Sequence, residues 1–371
     1  MQKNWFSLGL MSGTSGDGVD ASIIRSNGTN EYESIKDKYY EYDSSIYKNI
    51  HDLKEKINKF EHIKKYSREI NDLERKITIF HAEIVKDLNI AEEVILGFHG
   101  QTIYHNPNEK ISRQLGNGKL LSQLTNKRVV FNFRNNDILN GGQGAPLSPI
   151  FHHLISIKNE IILPVCFLNI GGISNITIVK EKNLAELISK DIGPGNCLID
   201  SWVRKNSNKK FDKDGLFASS GTKNEIIFEQ AQELYINRKS KNKLSFDTND
   251  FDVSFIRGLS LEDGVTTLTD FTASIIAEEL SLSLKGFKKN FIDVLVCGGG
   301  RKNKILLKKI KEYLSPYINL KLIDDYKING DFVESQAFAF LAIRSTLCLP
   351  ISFPKTTNCK EPCVGGEIIN L

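Results

Sequence analysis

With 371 residues, 40% of them hydrophobic and 25% charged, the chain has the composition of a globular protein and is long enough for two hydrophobic cores. A net charge of +4, with the lysines scattered, supplies no basic patch, so no nucleic-acid partner is expected. No long uncharged apolar run is present, so neither a leader peptide nor a membrane span is expected. Six dispersed cysteines, several inside apolar runs, fit buried thiols in a reducing, cytoplasmic setting.

The first predicted strand covers residues 5–10 and the second residues 19–24. Between them Gly13, Thr14, Ser15, Gly16, Asp17 and Gly18 form a turn of small residues. Glycines there let a ligand approach the backbone, and successive N–H groups make an anion-binding concavity. Ser12, Thr14 and Ser15 add hydroxyls. Asp17 would repel a phosphate unless a divalent cation stood between them, an arrangement that suits Mg²⁺ held through water. The turn therefore reads as a nucleotide-phosphate loop, although by itself an ordinary Gly-rich hairpin fits it as well.

A third strand is expected over residues 32–42, followed by two helical segments. In the second, Ile70, Leu73, Ile77, Phe80, Ile84 and Leu88 recur every three or four residues, as on one buried helix face. A buried strand over 94–98 runs into His99-Gly100-Gln101-Thr102, polar residues placed for a ligand at the end of a parallel strand. His99 fits a satisfied core histidine equally well. A short helix near Leu120 and a strand over 128–133 lead to Arg134, then to Gly141-Gly142-Gln143-Gly144 and a helix with His152 and His153. Neighbouring helix residues point apart, so that pair is no metal site.

Residues 165–179 repeat the opening pattern of strand, small-residue turn and strand, the turn holding Gly171, Gly172, Ser174 and Asn175. Asp191 closes a short apolar run before Gly193-Pro194-Gly195-Asn196, which bends the chain into a helix; an aspartate there can also cap that helix. Residues 239–255 are charged and irregular, as in a surface loop or lid. A helix over 266–285 precedes a strand over 293–297 ending in Gly298-Gly299-Gly300, then a helix over 304–314. The spacing is not that of a dinucleotide fingerprint. The last helix, over 332–347, carries Glu334 at its start, where the helix dipole alone favours a carboxylate. Cys359 and Cys363 lack the paired spacing of a zinc site.

Taken together, Met11-Ser12-Gly13-Thr14-Ser15 with Asp17-Gly18 and Asp20, His99-Gly100-Gln101-Thr102, Gln114-Leu115-Gly116-Asn117, Phe133-Arg134, residues 141–147 and 169–175, Asp191 with Gly193-Pro194-Gly195-Asn196, residues 212–214 and 297–300 form a colinear set. In these the chain resembles the anhydro-N-acetylmuramic acid kinases, peptidoglycan-recycling enzymes of the sugar-kinase and actin-like ATPase superfamily. The resemblance implies an α/β protein of two actin-like, ribonuclease H-like domains around a nucleotide cleft, residues 1–145 and 146–371, with the last helix and tail returning to the first domain. It implies ATP at Gly13, Thr14, Ser15, Gly16, Asp17, Gly18, Val19 and Asp20, at Gly171, Gly172, Ser174 and Asn175, and at Gly298, Gly299 and Gly300. It implies Asp191 as general base and His99, Arg134, Gly193, Asn196 and Glu334 at the amino sugar, with ATP and Mg²⁺ as cofactors. The implied reaction opens the 1,6-anhydro bridge with water and phosphorylates O6, giving N-acetylmuramic acid 6-phosphate. The alternatives are a kinase of another amino sugar and an actin-like or chaperone-type ATPase; a homodimer is left open. Departures from the family are Gly16 where leucine is usual, Asn132 where aspartate is usual, Asn135 and Asn136 where arginines are frequent, Thr248 and Asn249 in a lid region often carrying arginine, and Asn358 for a usual glycine.

Overall fold

The computed structural model describes residues 3–91, 93–239, 251–287 and 291–370, so Thr248 and Asn249 lie outside the described residues. The chain divides into two compact units, Met1–Leu163 with Val179–Ser189 and Asp331–Leu371, and Pro164–Ile178 with Lys190–Gly330.

The first unit begins with an antiparallel meander, β1 (Trp5–Ser12), β2 (Gly18–Ser26) and β3 (Tyr32–Glu41). Three helices follow, α1 (Ser44–Lys56), α2 (Phe60–Lys65) and α3 (Ser67–Leu88). The sequence suggests only two, because α2 is six residues long and buries none of them, leaving no periodicity to read. Asp43 caps α1 by accepting the N–H groups of Ser45 and Ile46, and α3 stops at Asn89 in the left-handed conformation. The unit continues through β4 (Ile95–Asn106), β5 (Ile111–Leu115), α4 (Gly118–Thr125), β6 (Val129–Phe131), α5 (Asn135–Leu139) and α6 (Pro149–Lys158).

In the second unit β7 (Val165–Ile170), β8 (Ile173–Val179) and β9 (Ile188–Pro194) lead into α7 (Cys197–Asn206), α8 (Leu216–Ser220), α9 (Glu225–Lys239) and α10 (Leu261–Leu284). Then come β10 (Ile292–Cys297), α11 (Lys304–Tyr313) and β11 (Ile318–Leu322). The sheet order is β11-β10-β7-β8-β9, with β10 parallel to both neighbours. Helix α10 is buried on nearly every side, and its Val265, Leu268, Phe271 and Ile275 share a core with Leu198, Trp202 and Ile256.

The chain returns to the first unit with α12 (Val333–Thr346), α13 (Pro354–Thr357) and β12 (Glu367–Ile369). That unit's sheet runs β12-β6-β4-β1-β2-β3, with β5 on β4. Gly9 and Gly97 sit opposite each other in the parallel register of β1 and β4. A Cβ on Gly9 would lie 1.8 Å from Ser335 O, and one on Gly97 would lie 2.3 Å from Phe338 O. The paired glycines thus make the trough in which the apolar α12 lies. Among the described residues no helix is long and apolar enough to cross a membrane.

Candidate functional site

The turn between β1 and β2 is held at both ends by a buried polar network. Gln101 Nε2 donates to Gly13 O at 2.9 Å, and its Oε1 lies 2.6 Å from Ser12 Oγ. Ser12 Oγ also lies 3.1 Å from Gly18 O and accepts the Tyr42 hydroxyl at 3.1 Å. Ser12 therefore works inside the protein. Gly16 N–H closes the turn on Gly13 O at 3.2 Å with φ at 63°, and a Cβ there would meet Ile50 Cγ2 at 2.8 Å. This left-handed geometry explains a glycine where the family usually has leucine.

Thr14 and Ser15 are exposed, and Lys54 of α1 donates to Thr14 O at 2.6 Å. Ser15 Oγ donates to Asp17 Oδ1 at 2.5 Å. Burial, followed by the charge of Asp17 and then those of Glu41 and Asp20, pushes the Tyr39 hydroxyl well above its ordinary value. Asp17, Asp20 and Glu41 thus gather around one phenol. Carboxylates are hard oxygen donors of the kind that could hold a hydrated Mg²⁺. Val19 is buried in β2, and Gly18 is pressed against Tyr39 and Tyr40. Gly13 instead faces open space, with only Ser15 Oγ within reach of a Cβ.

Elsewhere in the first unit β4 does not end at His99 but runs on to Asn106, turning through Gly100 at φ 74° and pairing with β5. His99 is buried against Phe338 of α12, with ring centroids 4.5 Å apart. Arg134 Nη2 lies 2.8 Å from His99 Nε2, and Nη1 donates to Gly144 O at 2.7 Å. A guanidinium only donates, so Nε2 is the acceptor. His99 Nδ1 then carries the proton and donates to Gly100 O at 2.7 Å. Burial first, and the Arg134 charge second, hold His99 well below its ordinary value, so the ring stays neutral. Glu334 is half-buried in the first turn of α12, one helical turn before Phe338.

Asn132 sits at φ 52° and donates to Glu367, where an aspartate would face a second carboxylate. Asn136 donates to Val364 O, fastening the tail rather than extending a cationic patch, and Asn135 is exposed.

In the second unit three glycine-rich segments converge. Asn196 N–H and Gly195 N–H donate to Gly171 O and Gly172 O at 2.8 and 2.9 Å. A Cβ on Gly195 would lie 2.3 Å from Gly171 O, and one on Gly300 would lie 3.1 Å from Asn196 Nδ2. Gly298, at φ 79°, leaves 2.3 Å between a Cβ and Asn169 Oδ1. Ser174 Oγ donates to Pro194 O at 3.1 Å, so this hydroxyl also holds the scaffold. Gly171 and Gly299 are different: a Cβ on Gly171 meets only Ile173 O, at 3.6 Å, and one on Gly299 meets nothing within 4 Å. Asn175 Oδ1 is buried without a hydrogen-bond partner. Open backbone and an unsatisfied acceptor fit a bound nucleotide.

Asp191 is 8% exposed near the end of β9. The N-cap of α7 is Asn196, so Asp191 does not cap that helix. Gly193 lies within β9, not in a bend, at φ 144° and packed on Ile275. Sequence reasoning passed over Lys54 and the role of Gln101 in holding the turn. The motif drew notice to His99, and Lys54 looks like one more solvated lysine on an amphipathic helix.

These features belong to an α/β phosphotransferase with an alcohol group as acceptor. Residues 5–370 match the family described as anhydro-N-acetylmuramic acid kinase, and the chain belongs to that family. A Pelagibacter ubique (strain HTCC1062) protein of that name is 55% identical over 372 residues, covering 100% of this chain and 99% of its own. A Zymomonas mobilis namesake is 36% identical over 387 residues, covering 97% and 98%. Among solved structures, component A of (R)-2-hydroxyglutaryl-CoA dehydratase from Acidaminococcus fermentans matches at TM-score 0.43 and 13% identity, over 92% of this chain and 99% of that one.

Proposed function

We propose that the chain uses ATP and water to convert 1,6-anhydro-N-acetylmuramic acid to N-acetylmuramic acid 6-phosphate and ADP, in cytoplasmic peptidoglycan recycling. Membership of the family across residues 5–370 carries this reading. Asp191 takes a proton from the water that attacks the anomeric carbon; the anhydro C–O bond breaks, and O6 accepts the γ-phosphoryl group. His99, Arg134 and Glu334 bind the sugar, with Arg134 oriented by His99 and Gly144 O. Gly193 and Asn196 shape the chain after Asp191. Open backbone at Gly13, Gly171 and Gly299 receives the nucleotide. Asp17, with Asp20 beside it, holds the hydrated Mg²⁺, which neutralises phosphate charge when bound.

The test is Asp191→Asn. It keeps the side-chain shape and removes the proton acceptor, so kcat should fall roughly 10²–10⁴-fold with ATP and sugar affinity nearly unchanged. Near-normal turnover would place the general base elsewhere. ATP turnover by the unaltered protein should require the anhydro-sugar. Turnover that depends instead on protein concentration would favour an actin-like ATPase, and a better substrate among other amino sugars would reassign the acceptor.

A further inference from the structure

Helix α5 and the C-terminal tail bring together donors that the reaction does not use. Asp137, Cys359 and Cys363 are buried, and one ligand atom from each lies within 4.8 Å of the other two. Both cysteines are free thiols. We propose that this cluster binds one thiophilic divalent cation of the zinc class through two thiolates and a carboxylate, with water in the fourth position.

Three atoms within 4.8 Å of one another share a point no more than about 2.8 Å from each. Zinc takes thiolate at about 2.3 Å and carboxylate at about 2.0–2.2 Å, so the donors need to close in by at most roughly 0.5–0.8 Å. Two sulfur donors out of three select against Mg²⁺ and Ca²⁺. The carboxylate is already aimed. Asp137 Oδ1 accepts the hydroxyls of Ser352 and Thr357, the latter at 2.6 Å, and Oδ2 accepts Gly144 N–H at 2.7 Å. These surrounding donors are of the kind that orient metal ligands.

The cysteines are aimed as well. Asn358, at φ 64°, turns the chain out of α13 into Cys359, and Cys363 is tied to Ser352 by backbone hydrogen bonds in both directions. The residues between the two cysteines are exposed, which gives a cation its entry. As the two metal–sulfur bonds form, each thiol releases its proton to solvent. The cation then fastens the tail to Asp137, and through Gly144 to the loop that holds Arg134.

The test titrates the full chain, kept reduced with a phosphine, with Co²⁺ and then Zn²⁺. One Co²⁺ per chain should bind with a sulfur-to-cobalt charge-transfer band, Zn²⁺ should displace it, and Zn²⁺ should raise the melting temperature. Cys359→Ser and Cys363→Ser should each weaken Co²⁺ binding at least tenfold, and the double variant should lose the band and the thermal shift while keeping kcat. No charge-transfer band in the unaltered chain, or a band that survives in a folded double variant, overturns the proposal.

Discussion

A glycine can serve a ligand or a neighbour, and the space over its Cα separates the two. Over Gly299 there is nothing within 4 Å, whereas over Gly9 the Ser335 carbonyl stands 1.8 Å from a Cβ. Gly299→Ala should therefore leave the melting temperature essentially unchanged while raising the KM for ATP roughly tenfold or more. Gly9→Ala should destabilise by about 3 kcal/mol or more, because strand or helix must move. Thermal melts beside ATP kinetics check both; the reverse pattern would remove Gly299 from the site. The sequence sets Gly299 in a glycine run after a strand and Gly9 within a strand, but the space over either Cα is not legible there. Arg134 shows the same limit: its place after a strand is legible, but its bonds to His99 and Gly144 O are made by residues distant in sequence.

At the scale of elements, β4 links the two segments of the first unit proposed to bind ligands. Its His99 faces Arg134, and two residues on Gln101 holds the turn between β1 and β2. Gln101→Leu removes one hydrogen bond from Ser12 and one from the Gly13 carbonyl, which keep Gly18 O, Tyr42 and the Gly16 N–H as partners, so stability should fall by about 0.5–1.5 kcal/mol per lost bond. With the loosened carbonyl at the turn proposed to bind phosphate, the KM for ATP should rise as well, with the KM for sugar much less affected. A stability loss with unaltered ATP kinetics would reduce the network to scaffolding. Long elements such as α3 could be read from their apolar spacing. The short β5, β11, β12 and α2 could not, because three to six residues carry too little periodicity.

For the molecule as a whole, buried histidines set the response to acid. His81, His99 and His152 are buried in the first unit and kept neutral, chiefly by desolvation: His81 is lowered to about 4, His152 to about 3, and His99 well below its ordinary value. The folded protein thus binds fewer protons than the unfolded chain below about pH 6.5. Stability is then fully present above that pH and is lost as pH falls toward the folded values, by about 1.4 kcal/mol per pH unit for each histidine. The urea midpoint should drop steeply between about pH 6.5 and 4, above the range in which ordinary carboxylates titrate. A flat midpoint across that window would show that these rings are protonated in the folded state.

The sequence by itself determined the α/β class, the two glycine-rich turns, the place of Asp191 before Gly193-Pro194-Gly195 and the family, because each is written in patterns of consecutive residues. Only the tertiary structure decided which serines are spent inside the protein, which glycines are open, and that Gly9 and Gly97 form the trough under α12. Only it brought Asp137 to Cys359 and Cys363. Those outcomes depend on distances between residues far apart in the chain, and a one-dimensional pattern does not carry them.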